Sequence, residues 1–188
     1  NASEVAFILG DDTTGGPLYM YKGTKDASGD FLARNGLKDG KLFVLKFDEA
    51  GVDSPADFTS GSKTASWVEL PHFDASKAGT TGYDALGCKD GNTMRADAAS
   101  LGAFGFVRTE DVSTDPSDAT KVVIATTGGN SENPNGRIYT IDTTFGATDT
   151  AIVGLLYDGA QDPMQQLRSP DNLDWADDGF IYAQEDRS

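Results

Sequence analysis

Four times along this chain a glycine is followed two residues later by Leu or Ile, then by an aromatic residue and a β-rich run. The four are Gly16-Pro17-Leu18-Tyr19, Gly40-Lys41-Leu42-Phe43, Gly136-Arg137-Ile138-Tyr139 and Gly179-Phe180-Ile181-Tyr182. Each reads as a turn glycine feeding an antiparallel strand. Further strand-like runs precede these turns, at Glu4 to Leu9, Val122 to Thr126 and Leu173 to Trp175. Strand, polar turn, strand is a hairpin, and hairpins recurring about every 40 residues point to propeller blades or a related repeat. The expected fold is all-β: a partial β-propeller, roughly four blades of a larger ring, with long irregular insertion loops.

Composition agrees and narrows the chemistry. Of 30 acidic residues 24 are Asp, and Gly contributes 22 of the 188 positions. Asp and Gly favour turns and caps where Glu favours helices, so a helical bundle is disfavoured. An apolar share of 38% is enough for a packed core. The formal net charge of -15 argues against a nucleic-acid or acidic-membrane partner, because both call for a basic surface. No apolar run is long enough to span a bilayer. A single Cys (Cys88) and a single His (His72) leave no internal disulfide, no CxxC motif and no multi-His metal site from this chain.

Residues 1–188 are expected to form one domain segment, truncated at both ends. Residues 48–105, dense in Gly, Ser, Thr, Asp and Ala, are expected as a loop-rich insertion within it. A strand at Trp67 to Leu70 and a short helix at Met94 to Leu101 interrupt that insertion. Loops this long inside a domain are usually functional or ordered by metal. Asn1-Ala2-Ser3 fits the N-glycosylation triplet.

Three acidic clusters stand at strand ends: Gly10-Asp11-Asp12-Thr13-Thr14, Arg108-Thr109-Glu110-Asp111, and Ser169-Pro170-Asp171-Asn172-Leu173-Asp174 with Gln184-Glu185-Asp186 beyond it. Carboxylates and carboxamides are hard oxygen donors suited to Ca²⁺, Mg²⁺ or a ferric ion. Each cluster also has a plain structural reading. Asp11-Asp12 can cap a turn, Arg108 and Glu110 can be a strand-end ion pair, and Asp171-Asn172 can form an Asx turn after Pro170. Asp177-Asp178-Gly179 reads as a two-residue hairpin turn.

Taken in order, these segments resemble the PhoX-type alkaline phosphatase family. The likeness runs from Gly10-Asp11-Asp12 and Leu18-Tyr19-Met20-Tyr21-Lys22 to Asp39-Gly40-Lys41-Leu42-Phe43-Val44-Leu45-Lys46-Phe47. It continues through Thr93-Met94-Arg95-Ala96-Asp97-Ala98-Ala99-Ser100-Leu101-Gly102-Ala103, Arg108-Thr109-Glu110-Asp111-Val112 and Thr126-Thr127-Gly128-Gly129-Asn130. It ends at Ser169-Pro170-Asp171-Asn172-Leu173. The resemblance implies a β-propeller phosphomonoesterase of exported compartments, using calcium and ferric iron. It puts Glu110, Asp171 and Asn172 on metal-binding positions and Arg108 on the phosphate-contacting arginine. Asp11 and Asp12 join them as candidate oxygen ligands.

Thr109 replaces the proline usual in that family, and Ala99 replaces a helix aspartate. The family's Thr-Cys-Glu-Glu and His-Glu elements would precede Asn1, so these residues are expected to hold only part of a metal cluster. Two other readings stand beside the enzyme: a non-catalytic, calcium-stabilised propeller serving a larger assembly, and a sugar-lactone or strictosidine-type propeller enzyme. Calcium sites of modest affinity fill outside the cytosol, which points to an extracytoplasmic protein, and the resemblance implies a small phosphate ester as its substrate.

Overall fold

A computed structural model describes residues 3–146, 149–161, 164 and 167–186. Asn1 and Ala2 of the glycosylation triplet lie outside them. The strands are β1 (Glu4–Leu9), β2 (Thr14–Pro17), β3 (Tyr19–Thr24), β4 (Lys41–Phe47), β5 (Ser62–Glu69) and β6 (Gly105–Val107). They continue with β7 (Thr109–Thr114), β8 (Lys121–Thr126), β9 (Arg137–Thr144), β10 (Thr150–Asp158), β11 (Pro170–Trp175) and β12 (Ile181–Glu185). Two helices, α1 (Phe31–Arg34) and α2 (Gly91–Ser100), complete the regular structure with two short 3₁₀ turns. Among the described residues no helix is long and apolar enough to cross a membrane.

Eight strands form one antiparallel sheet in the order β1-β3-β4-β5-β10-β9-β8-β7. It consists of two four-stranded halves joined where β5 pairs with β10, from Thr150 opposite Ser66 to Gly154 opposite Ser62. The sequence alternation explains how the halves pack. Leu18, Met20, Leu45, Phe47, Ala65 and Trp67 from the first half share one buried cluster with Val122, Ile124, Tyr139, Ile141, Ala151 and Val153 from the second. Residues one position out of phase face the other way. Tyr19 and Val44 pack under Ala98 and Ala103 around α2, whereas Val123, Ala125 and Ile138 pack under Leu173 of β11. The sheet therefore curves round a single core, nearly closed as a barrel. The β11–β12 hairpin forms a further layer on its second half. Four-stranded sheets stacked face to face make the fold all-β and propeller-like.

The four glycine-led strands are β3, β4, β9 and β12, and Asp177-Asp178-Gly179 forms the β11–β12 turn as a three-residue loop between Ala176 and Phe180, not the expected two-residue one. Three further details differ from the sequence reading. The strand expected at Trp67 to Leu70 begins earlier, at Ser62, because the whole of β5 is needed to bridge β4 and β10. The expected helix begins at Gly91, a turn earlier, because the Asp90 side chain accepts from Thr93 N at 2.8 Å and caps it. The one-turn α1 was not expected; Asp30 caps it by accepting from Ala33 N at 2.9 Å.

Candidate functional site

Two ladder slips and two left-handed residues interrupt regular β-structure at one end of the sheet. The β7–β8 ladder slips between Thr109 and Asp111, which makes Glu110 the extra residue of a bulge. The β11–β12 ladder slips between Pro170 and Asn172, which does the same for Asp171. Between β6 and β7, Arg108 occupies left-handed backbone at φ 58°, and Ser169, just before β11, does so at φ 46°. Bulges re-aim side chains, and left-handed non-glycine residues persist only where neighbours over-determine them. For Arg108 the neighbours are known. Its N–H donates to Thr13 O at 3.3 Å, and its carbonyl accepts from Thr127 N at 2.9 Å.

The Gly10-Asp11-Asp12 loop fits against this corner because residue 10 lacks a side chain. A Cβ there would stand 2.8 Å from Thr109 Cγ2 and 2.9 Å from Thr109 O. The close approach brings Asp12 to the arginine. Arg108 Nε donates to Asp12 Oδ1 at 2.9 Å, and Arg108 Nη2 donates to Glu110 Oε1 at 2.8 Å. Its Nη1 has no partner among the described residues. Burial opposes the Arg108 charge, but the Asp12 hydrogen bond and the Asp12, Glu110 and Asp186 carboxylates outweigh it and raise the pKa. Glu110 is shifted up as well, first by burial and then by the Asp12 charge; Arg108 and Thr127 pull the other way.

Thr127 links the second bulge to the first. Its hydroxyl donates to Pro170 O at 3.3 Å, directly before Asp171, while Glu110 interacts with the same hydroxyl. Strand β11 is fastened along β7 by Leu173 N to Asp111 Oδ2 and Trp175 N to Ser113 Oγ, both 2.9 Å. Arg108, Asp12, Glu110 and Asp171 thus share one end of the molecule. Asn172 spends its amide on Asp171 Oδ2 at 2.8 Å, and both line a depression with Gln184, Glu185 and Asp186.

Asp11 is directed elsewhere. Arg95 of α2 grips it with Nε to Oδ2 at 2.9 Å and Nη2 to Oδ1 at 3.1 Å. Beside that pair the buried Tyr19 hydroxyl has its pKa pushed up to about 12, by burial first and by the Asp11 carboxylate second. Arg95 was not singled out from the sequence, where it is one helix residue among others; the Asp11 partner lies 84 positions away. Among the described residues no three carboxylate, thiol or imidazole groups converge as a cage for a metal ion. What the corner offers by itself is a guanidinium with unengaged donors, framed by oxygens.

The whole of residues 1–188 matches the family described as Alkaline phosphatase PhoX. The chain belongs to the PhoX alkaline phosphatase family. A solved structure, Pseudomonas fluorescens PhoX in complex with vanadate, a transition state analogue, superposes with a TM-score of 0.65 at 21% identity. The match covers 99% of this chain and 37% of that one, so the chain spans little more than a third of the length of the PhoX structure. No curated protein sequence matches it. Fold and family membership are thereby shared with PhoX along the length of the chain.

Proposed function

We propose that the Arg108 corner binds the phosphoryl group of a small phosphate ester in an extracytoplasmic, metal-dependent phosphomonoesterase. The observation that carries this reading is the Arg108 guanidinium, fixed on strained backbone between Asp12 and Glu110 with Nη1 left over. A planar guanidinium matches two non-bridging phosphate oxygens, and holding it in place beforehand strengthens its grip as charge builds in the transition state. Asp12 and Glu110 orient the fork. They also surround it with negative charge, which repels a phosphate dianion unless cations reverse the local sign.

Calcium, with iron as a second metal, suits the oxygen donors Glu110, Asp171 and Asn172, with Asp12 beside them. Asp11 is the weakest member of that set because Arg95 already occupies both its oxygens. The described residues do not complete a metal cage, so the guanidinium is the phosphate-binding group that this chain holds in place by itself.

Hydrolysis of p-nitrophenyl phosphate by the protein and its Arg108→Ala variant tests the proposal, with metal content measured on the same samples. Loss of a positioned donor should lower kcat/KM by about 10²–10³-fold while the far-UV spectrum stays unchanged. Unchanged turnover in the variant overturns it.

One observation favours a second reading, a non-catalytic calcium-stabilised propeller acting in a larger assembly: Nε and Nη2 of Arg108 are already paired with carboxylates. Under that reading no turnover appears with any metal, yet calcium raises the Tm.

A further inference from the structure

A cavity lies at the other end of the sheet. It measures about 720 Å³, within the usual range for small-molecule pockets, and is walled by the starts of β1 and β4 and the ends of β3 and β5. Strand β1 runs from Glu4, in this cavity, to Leu9, beside Gly10, so the cavity and Arg108 are on the order of 20 Å apart.

Its lining has a distinctive chemistry. Phe43 and Trp67 supply aromatic wall. Trp67 is only 6% exposed, and its buried indole N–H has no hydrogen-bond partner among the described residues. Such a donor carries a desolvation penalty of about 1–3 kcal/mol until something accepts from it. Around the aromatics stand ion pairs. Lys22 Nζ donates to both carboxylate oxygens of Asp149, at 2.8 and 2.9 Å, and Lys41 Nζ donates to Glu69 Oε2 at 2.7 Å. The third lysine of the lining, Lys38, sits 3.5 Å from Asp30. No lysine here is left over to attract a phosphate, and an apolar guest would strip water from the paired charges without replacing it.

A hydroxyl both donates and accepts, so a row of hydroxyls can satisfy carboxylate lone pairs and ammonium hydrogens together, while the C–H face of a ring covers aromatic carbon. We infer that this cavity is a binding site for a neutral polyhydroxylated ligand, a saccharide of one or two rings, with Lys41, Glu69 and Asp149 contacting hydroxyls and Phe43 and Trp67 contacting the ring. Trp67 moves slightly on binding so that its N–H gains an acceptor.

The test is a titration of the ¹⁵N-labelled protein with maltose, followed by the two tryptophan indole signals. Trp67→Phe and, independently, Trp175→Phe assign them, so failure of one variant to fold does not block the assignment. The Trp67 signal should shift saturably, with a dissociation constant of about 1 mM, while the Trp175 signal stays in place. Glu69→Gln, on the exposed rim, should weaken binding by about tenfold. Inorganic phosphate should leave the Trp67 signal unmoved. A Trp67 signal indifferent to maltose, a shift that grows without saturating, or equal affinity in Glu69→Gln would each overturn the inference. None of these readouts depends on phosphatase activity.

Discussion

Arg108 is the residue at which backbone and chemistry meet. A non-glycine side chain on left-handed backbone costs about 1–2 kcal/mol, and the fold sustains it through Thr13 and Thr127 on either side. The strain separates two effects that a single substitution would confound. Arg108→Gly and Arg108→Ala both delete the guanidinium, but only glycine relaxes the backbone. Urea unfolding should therefore find Arg108→Gly the more stable of the two by about 1 kcal/mol, while phosphate-ester turnover falls equally in both. Equal stabilities would mean that the left-handed conformation carries no cost here. Asp11 and Asp12 make the complementary point. Adjacent and chemically identical, they are committed to different arginines across a tight turn, in which Thr13 N donates to Asp11 O at 2.7 Å.

At the scale of elements, many of the aspartates serve turns and caps. Asp26, Asp74, Asp115 and Asp118 each accept from both the backbone N–H and the hydroxyl of the Ser or Thr two residues on. Asp30 and Asp90 cap helices, and Asp178 holds the β11–β12 turn by accepting from Phe180 N and Tyr182 Oη. Local hydrogen bonds of this kind stabilise the charged carboxylate. Side-chain and backbone bonds from Thr120 lower the Asp118 pKa to about 2, and the same kind of bonding lowers Asp26, Asp74 and Asp115. Because the folded values lie below the unfolded value of 3.8, the stability these turns provide is complete above that pH. It drains away as the pH falls through the folded values toward about 2. Glu110 acts with the opposite sign. Its folded pKa is raised, so it favours the native state on acidification and loses that contribution once it ionises. The turns outnumber it. Thermal unfolding from pH 5 to about pH 2 should show Tm falling mostly below about pH 4, and Asp118→Asn should flatten the lowest part of the curve. A Tm that rises on acidification would contradict this account.

Across the whole molecule, the segment between β4 and β6 is tied to the sheet by aromatic packing and by hydrogen bonds from one buried arginine. Phe47, Phe58, Tyr139, Phe106 and Phe104 close a ring of contacts with centroids 4.7–6.0 Å apart, most of them edge-on. Each such pair contributes about 0.5–1.5 kcal/mol beyond burial. Arg137, from β9, reaches back through Nη1 to Pro55 O at 2.7 Å and Phe58 O at 3.1 Å, while its Nη2 lies 3.0 Å from Asp158 Oδ2. Both side chains of that pair are almost fully buried, at 4% and 6% exposure. Removing one partner strands a charge, so Asp158→Ala should cost about 3–5 kcal/mol in urea unfolding, and adding Arg137→Met should recover part of it. If the double variant is no more stable than the single one, the buried charge is not the source of the loss.

The turn glycines, the alternating strands and the capping aspartates are local properties, each enforced within a few residues of backbone geometry, so the order of the amino acids alone fixed them. The four glycine-led strands, the helix after Asp90 and the acidic turns follow from it, and so does the family likeness. Three things required long-range contact. Strand β10, hidden in Thr150-Ala151-Ile152-Val153-Gly154-Leu155-Leu156, acquires its role only by pairing with β5 and β9. The bulges at Glu110 and Asp171 exist only against partner strands. The division of Asp11 and Asp12 between Arg95 and Arg108 depends on residues about ninety positions apart being pressed together by the core. Hydrogen-bond register and burial are cooperative across the sheet, and no stretch of sequence carries them by itself.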